Sequence, residues 1–251
     1  MARVLVTGGT GTLGRYLVPR LLAKGHEVRV LSRRPAASLP AGATASRGDV
    51  LTGEGVAAAV SGTDAVVHAA TSAQRRARAT EVQGTTHVLG ACRGAGAHLL
   101  YVSIVGVDRH RFPYYRAKRA AEELVQSSGV GWTIQRATQF HELLDLFLGF
   151  RVLPTTPNLA FQLVDAGEVS DRLVELVEKG PTALAPDFGG PEILPLREIN
   201  ATRRQETGKR AVLVPVPRVG FMRDFEEGRH HCPDRREGRI TWREWLRSQA
   251  G

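Results

Sequence analysis

Arg3-Val4-Leu5-Val6 runs directly into Thr7-Gly8-Gly9-Thr10-Gly11-Thr12-Leu13-Gly14, and the reading of this stretch decides the fold. A short β-branched run, a glycine turn and a helical segment from Leu13 to Lys24 form the strand–turn–helix frame of a nucleotide-phosphate site. Gly8 suits the tight turn out of the strand. Gly11 leaves no Cβ between backbone and pyrophosphate, and Gly14 lets the helix pack close on the sheet. Thr10, Thr12 and Leu13 fill the rest of the turn. The helix aims its first amide N–H groups and its positive dipole end at the phosphates. Dinucleotide binding is the expectation that follows.

Outward from this motif, strand-like and helix-like segments alternate. Glu27 to Leu31 reads as a second strand after a Lys24-Gly25 helix stop, and Ala43 to Arg47 as a weaker third. Gly53 to Val60 reads as a short helix. Asp64 to Ala70 is a fourth strand whose continuous apolar run suits a strand covered on both faces. A helix over Thr80 to Ala95, a strand over His98 to Ser103, a helix over Tyr114 to Ser128 and a strand over Gly131 to Arg136 follow. This alternation predicts an α/β fold with a doubly wound, parallel, Rossmann-like sheet and right-handed crossovers.

After Thr138 the regularity falls. An apolar helix is expected over His141 to Phe150, a strand over Ala160 to Val164 and a helix over Gly167 to Glu178. A last short helix is expected over Trp242 to Ser248, with Thr241 as its N-cap. Prolines at 181, 186, 191, 195, 215 and 217 punctuate the rest. The predicted organisation is an NAD(P)-binding domain over 1–150 and a small C-terminal substrate lobe over 151–251, packed as one unit.

The formal net charge of +9 invites a nucleic-acid reading, but the basic residues are spread along the chain with acids between them. The densest run, Gln74-Arg75-Arg76-Ala77-Arg78, lacks an accompanying aromatic stripe. Attraction of an anionic small molecule accounts for part of the charge. No nucleic-acid partner and no membrane partner are expected. The two cysteines, Cys92 and Cys232, lack metal spacing, and His230-His231-Cys232 has no partner cluster, so no metal site is expected. Reduced thiols and the lack of a charged-then-apolar leader predict a cytoplasmic protein, monomeric or homodimeric.

Several positions carry chemistry. Where sites that prefer NAD hold an acid after the second strand, this chain has Arg33-Arg34, which suits the 2′-phosphate of NADP(H). Asp49 reads either as an acceptor for the adenine amino group or as the cap of the next turn, with Val50 packing on the ring in the first case. Ala69, Ala70 and Thr71 supply small side chains where ribose and diphosphate pass. Tyr114 and Lys118, four apart, share a helix face. There the ammonium would lower the phenol pKa and hold the nicotinamide ribose, the phenol would donate a proton, and Ser103 would orient the substrate oxygen. A Lys118 that only anchors ribose beside a structural Tyr114 is the competing reading, and Tyr115 is the lesser phenol. Arg136 to His141 close the sixth strand and line the crevice, with Ala137 a cofactor-binding position and Thr138, Gln139 and Phe140 flanking the nicotinamide. Phe140, Leu143, Leu144 and Phe147 would line an apolar pocket. His141 reads as a substrate-side or a packing histidine.

These motifs resemble the atypical short-chain dehydrogenase/reductases, in particular the NmrA-like NAD(P)H-binding branch. The resemblance rests on the glycine motif at 7–14, on Tyr101-Val102-Ser103-Ile104-Val105-Gly106-Val107-Asp108, on Tyr114-Tyr115-Arg116-Ala117-Lys118 and on Arg136-Ala137-Thr138-Gln139-Phe140-His141. It implies NADP(H) binding, a Tyr114–Lys118 catalytic pair and reduction of a small, fairly apolar carbonyl, quinone or enone. The branch also contains dinucleotide sensors without turnover that have lost the tyrosine, and the retained Tyr114 favours an enzyme. A nucleotide-sugar epimerase or dehydratase is disfavoured by the short C-terminal part. One departure stands out: Gln83 occupies the place where extended members carry an Asn that supports the active-site lysine.

Overall fold

The computed structural model describes residues 1–33, 39–71 and 77–249. The first half runs β1 (Arg3–Thr7), α1 (Gly14–Ala23), β2 (Glu27–Ser32), β3 (Thr44–Arg47), α2 (Val56–Val60), β4 (Ala65–His68), α3 (Ala77–Ala95), β5 (His98–Ile104), α4 (Pro113–Gln126) and β6 (Trp132–Ala137). The second half runs β7 (Gln139–Phe140), α5 (His141–Leu148), β8 (Val152–Thr155), β9 (Ala160–Val164), α6 (Ala166–Lys179), β10 (Ala183–Leu184), β11 (Ile193–Pro195), α7 (Leu196–Thr207), β12 (Val212–Pro215), α8 (Phe221–Glu226) and α9 (Trp242–Gln249).

The main sheet has the order β10-β6-β5-β4-β1-β2-β3, with every pairing parallel. Its central strands are covered on both faces, which is why β1, β4 and β5 read as unbroken apolar runs. On one face Leu17, Val18 and Leu21 of α1 and Val169, Leu173 and Val177 of α6 pack on Val4, Val6 and Val67. On the other, Val88 and Cys92 of α3 and Ala121 and Val125 of α4 pack on Leu5, Val66, Leu99 and Tyr101. The expected doubly wound fold is present. The chain returns to this sheet after residue 150, because α6 packs along α1 and β10 extends the edge beside β6.

The remaining elements build a lobe with its own core of Leu144, Leu148, Leu163, Leu196, Ile199, Trp242, Trp245 and Leu246. A β11-β9-β7 sheet and a β12-β8 ribbon frame it. Trp242 is wholly buried and donates its indole N–H to the Ile199 carbonyl at 3.0 Å. Thr241 starts α9 with a capping box: its Oγ1 accepts from the Glu244 amide, and the Glu244 carboxylate accepts from the Thr241 amide. A staple joins the lobe to the segment before α4, where Arg111 grips Asp224 of α8 through its backbone amide and its guanidinium. No helix among the described residues is long and apolar enough to cross a membrane.

Candidate active site

The strand order reverses at β1, which pairs β2 on one side and β4 on the other. A crevice opens at such a switch point, outside the carboxyl ends of the strands. Two backbone segments meet there. A Cβ on Gly8, whose φ is +74°, would lie 2.7 Å from the Ala69 carbonyl carbon and the Ala70 nitrogen. One on Gly14 would lie 2.4 Å from Gly8 O and Gly9 Cα. The glycines are thus required for the loop to fold on itself and against residues 69–71. Thr7 Oγ1 ties the two segments by accepting from the Ala70 amide at 3.2 Å and bonding His68 Nδ1 at 2.6 Å. Among the described residues no side chain caps the start of α1; the Arg15 and Tyr16 amides are taken by the Gly11 and Leu13 carbonyls, which leaves the amides of the turn just before them to meet an anion. Thr10 and Gly11 are exposed at the mouth, and the Leu13 side chain is buried beneath it. These residues fit a dinucleotide diphosphate.

Beside the loop, five side chains from α3, α4, β5 and the segment after β4 converge. Lys118 of α4 is buried and bonds three ways: to the Glu81 carboxylate of α3 at 3.1 Å, to the Val102 carbonyl of β5 at 2.8 Å, and over the Tyr101 ring at 4.7 Å. Glu81 also accepts from the Tyr101 phenol at 2.8 Å and from the Thr71 hydroxyl. Thr71 Oγ1 lies 2.6 Å from the Tyr114 phenol oxygen. The single Thr71 hydrogen is directed to Glu81, so Tyr114 is the donor to Thr71. A continuous chain therefore runs from Tyr114 through Thr71 and Glu81 to Lys118.

The electrostatics follow from burial and charge. Burial pushes the Glu81 carboxyl up, but Lys118, with the Thr71 and Tyr101 hydroxyls, outweighs it and holds the group below its ordinary range. Burial pulls the Lys118 ammonium down, and Glu81 more than restores it. The pair is ionised. The Tyr114 phenol is raised, first by burial and then by Glu81, with Lys118 only partly offsetting both. Lys118 does pull the phenol down, by more than Glu81 pushes it up, but burial outweighs that pull and the net shift is upward, not the expected lowering.

Gln83 is exposed, and the support for Lys118 that the departure at position 83 put in question comes from Glu81. The signal was present: residues 81, 85, 88 and 92 share the buried face of α3, and a carboxylate among apolar neighbours on such a face needs a buried partner. Ser103 lies at the end of β5 with its hydroxyl buried and without a hydrogen-bond partner among the described residues. Tyr115 is turned into the interior, bonded by Gln139 and stacked on His110.

At the far end of the crevice, Arg33 projects into solvent from the end of β2, 3.9 Å from Asp49 Oδ2, while Arg34 lies outside the described residues. Asp49 Oδ1 accepts from the Leu51 amide, the turn-capping geometry. Val50 is buried in the core under α2 and α3, and its carbonyl meets His87. Ala137 is buried at the end of β6. Thr138 Oγ1 holds the Gly190 amide, fastening the segment 188–190 to the sheet edge. Phe140 is half-buried against the α1–α6 layer. His141 packs on Trp245 and bonds the Ile240 carbonyl, the packing role. Of the expected pocket residues, Leu144 is in the lobe core, whereas Leu143 and Phe147 reach solvent.

A profile described as NAD(P)H-binding matches residues 8–145, which contain the glycine loop, Glu81, Tyr114 and Lys118. The chain belongs to this NAD(P)H-binding family. Among its relatives, it is 28% identical over 244 residues to the photosystem II assembly factor Ycf39 of Synechocystis, covering 89% of this chain and 74% of that protein. It is 39% identical over 110 residues to a 3-beta-hydroxysteroid dehydrogenase of Mycolicibacterium neoaurum, 38% of this chain and 30% of the relative. By fold, it superposes on an NADPH-dependent quinone oxidoreductase of Escherichia coli complexed with NADPH (TM-score 0.79, 15% identity, 99% and 100% of the two chains). It also superposes on a Thermus thermophilus UDP-glucose 4-epimerase with NAD (TM-score 0.76, 21% identity, 98% and 96%). The nicotinamide dinucleotide is therefore the class of cofactor, and the Rossmann-like domain is its seat.

Proposed function

We propose that this protein is an NADPH-dependent oxidoreductase that reduces a small, fairly apolar carbonyl, quinone or enone. The observation that carries the proposal is the Tyr114–Thr71–Glu81–Lys118 chain set against the glycine loop. When bound, the nicotinamide supplies a hydride. Tyr114 supplies the proton to the substrate oxygen. The phenolate left behind takes a hydrogen bond from Thr71, whose hydroxyl turns from Glu81, and is stabilised by the Lys118 charge. Ser103, whose buried hydroxyl has no hydrogen-bond partner among the described residues, is the group to orient the substrate oxygen. Arg33, exposed where the adenosine end would lie, supports NADPH over NADH.

A second reading, a dinucleotide-binding regulatory protein without turnover, is favoured by one observation. Lys118 is already paired with Glu81 and Val102, and the phenol is raised rather than activated. Oxidation of NADPH measured against a panel of quinones, enones and ketones, with Tyr114→Phe beside the parent, separates the two. Turnover that falls by about a hundredfold or more in Tyr114→Phe supports the enzyme. No turnover in the parent across the panel supports the regulator, and equal turnover in both removes Tyr114 from the chemistry.

A further inference from the structure

Away from the crevice, the C-terminal lobe carries an apolar face that its own core does not use. Helix α5 is apolar on two sides. Leu144 and Leu148 enter the lobe core, while Leu143, Leu146, Phe147 and, just past its end, Phe150 follow the i, i+3, i+4, i+7 spacing of one face and are between 36% and 63% exposed. The Phe147 and Phe150 rings lie 6.3 Å apart. The chain then passes through Arg151, at a left-handed φ of 63°, into β8. There Val152 pairs with Val212 and Pro154 with Val214 of β12. These four residues face solvent, whereas Leu153 and Leu213 between them pack on the lobe core. The stripe and the ribbon adjoin along the chain at Phe150–Val152, where α5 lies against β8. Contiguous exposure of this kind marks an interaction site.

Cations rim this surface. Arg151 stands between Phe150 and Val152. Lys209 and Arg210 lead into β12 and are brought beside it, because the Val212 amide donates to the Arg151 carbonyl at 2.6 Å. All three are exposed, and none has an acidic partner among the described residues. The solvent-side acid of α5, Asp145, is taken by Arg203 at 2.6 Å.

We propose that this face docks on an anionic lipid surface, with Leu146, Phe147, Phe150 and the valines entering the headgroup–acyl boundary and Arg151, Lys209 and Arg210 meeting lipid phosphates. Exposed aromatic and aliphatic residues bordered by uncompensated cations are the pattern of an interfacial contact. The charge selects lipid over a second copy of the chain: a two-fold contact through this face would bring the same three cations against their own copies. The net charge of +9 acts in the same direction.

The test is co-sedimentation of the full chain with vesicles of phosphatidylcholine alone and of phosphatidylcholine with phosphatidylglycerol, at low and high salt. The expected result is binding to the phosphatidylglycerol vesicles, weakened by salt. Lys209→Gln with Arg210→Gln should weaken it about thirtyfold. Phe150→Ser with Val212→Ser should abolish it at an unchanged melting temperature, since both side chains are solvent-exposed. Binding to neither vesicle, or equal binding to both, overturns the proposal. So does full binding by the Phe150→Ser, Val212→Ser variant, which would mean diffuse attraction by net charge. A parent dimer in sedimentation equilibrium that the same variant dissociates also overturns it and assigns the face to a second copy.

Discussion

Replacing Glu81 by Gln keeps the shape of the side chain and removes its charge, leaving the Lys118 ammonium buried with only the Val102 carbonyl and the Tyr101 ring. The lost attraction is large. Opposite charges 3.1 Å apart attract by about 5 kcal/mol at an effective dielectric constant of about 20. Breaking a buried pair from one side costs about 3–5 kcal/mol, because the remaining charge stays desolvated. Urea unfolding followed by the fluorescence of Trp132, Trp242 and Trp245 reads the loss directly. A second signature is its pH dependence. In the parent, Lys118 is raised above its ordinary value, so its contribution is complete at neutral pH and is lost only as pH rises through that value. In Glu81→Gln, burial is opposed only by the weaker pull of Tyr114 and Glu122, and the folded lysine falls below its unfolded value. The unfolded chain then binds more protons over that interval, and stability rises with pH there. Glu81→Leu with Lys118→Met removes both charges and should recover most of the loss. A Glu81→Gln protein within about 0.5 kcal/mol of the parent, or a double variant no better than the single one, would refute the buried pair.

Other outcomes follow from the same geometry. Gly14→Ala places a methyl 2.4 Å from the backbone of Gly8 and Gly9, and should cost about 2 kcal/mol or more and abolish dinucleotide binding in a fluorescence titration. Gly90→Ala, on the exposed face of α3 with open space around it, should instead raise stability by about 0.5–1 kcal/mol in urea unfolding. Arg33→Ala should weaken NADPH about tenfold to a hundredfold and NADH little, checked by paired titrations; equal losses contradict the 2′-phosphate role. His68, His98, His110 and His141 are each pulled down to about 4 by burial. The unfolded chain, titrating near 6.5, binds more protons in between, so the melting temperature should fall as pH drops from about 6.5 to about 4. A flat profile across that window contradicts the buried neutral imidazoles.

The glycine loop and the first six strands were legible because a doubly wound sheet writes itself as apolar strands alternating with amphipathic helices. The lobe was harder. Strands β8, β10, β11 and β12 are two to four residues long and set among prolines, too short for a period to show. Helix α7 buries Leu196 and Ile199 but otherwise presents polar residues, so its pattern is faint. At the site, the spacing of Tyr114 and Lys118 shows in the sequence, whereas the role of Glu81, two residues before the departure at Gln83, does not. Residues two positions apart on a helix, such as 81 and 83, are about 200° apart around its axis, so only one of them can face Lys118, and the apolar face of α3 identifies which. For the exposed side of α5, periodicity shows that a face is apolar, not what covers it.

The central claim is that the crevice between the glycine loop and residues 69–71 binds NADPH in preference to NADH. Titration of the purified protein with each dinucleotide, followed by nicotinamide fluorescence, tests it most directly. Saturable binding of NADPH, tighter than that of NADH by tenfold or more, is the predicted result. Binding of neither dinucleotide, or of NADH as tightly as NADPH, would contradict it.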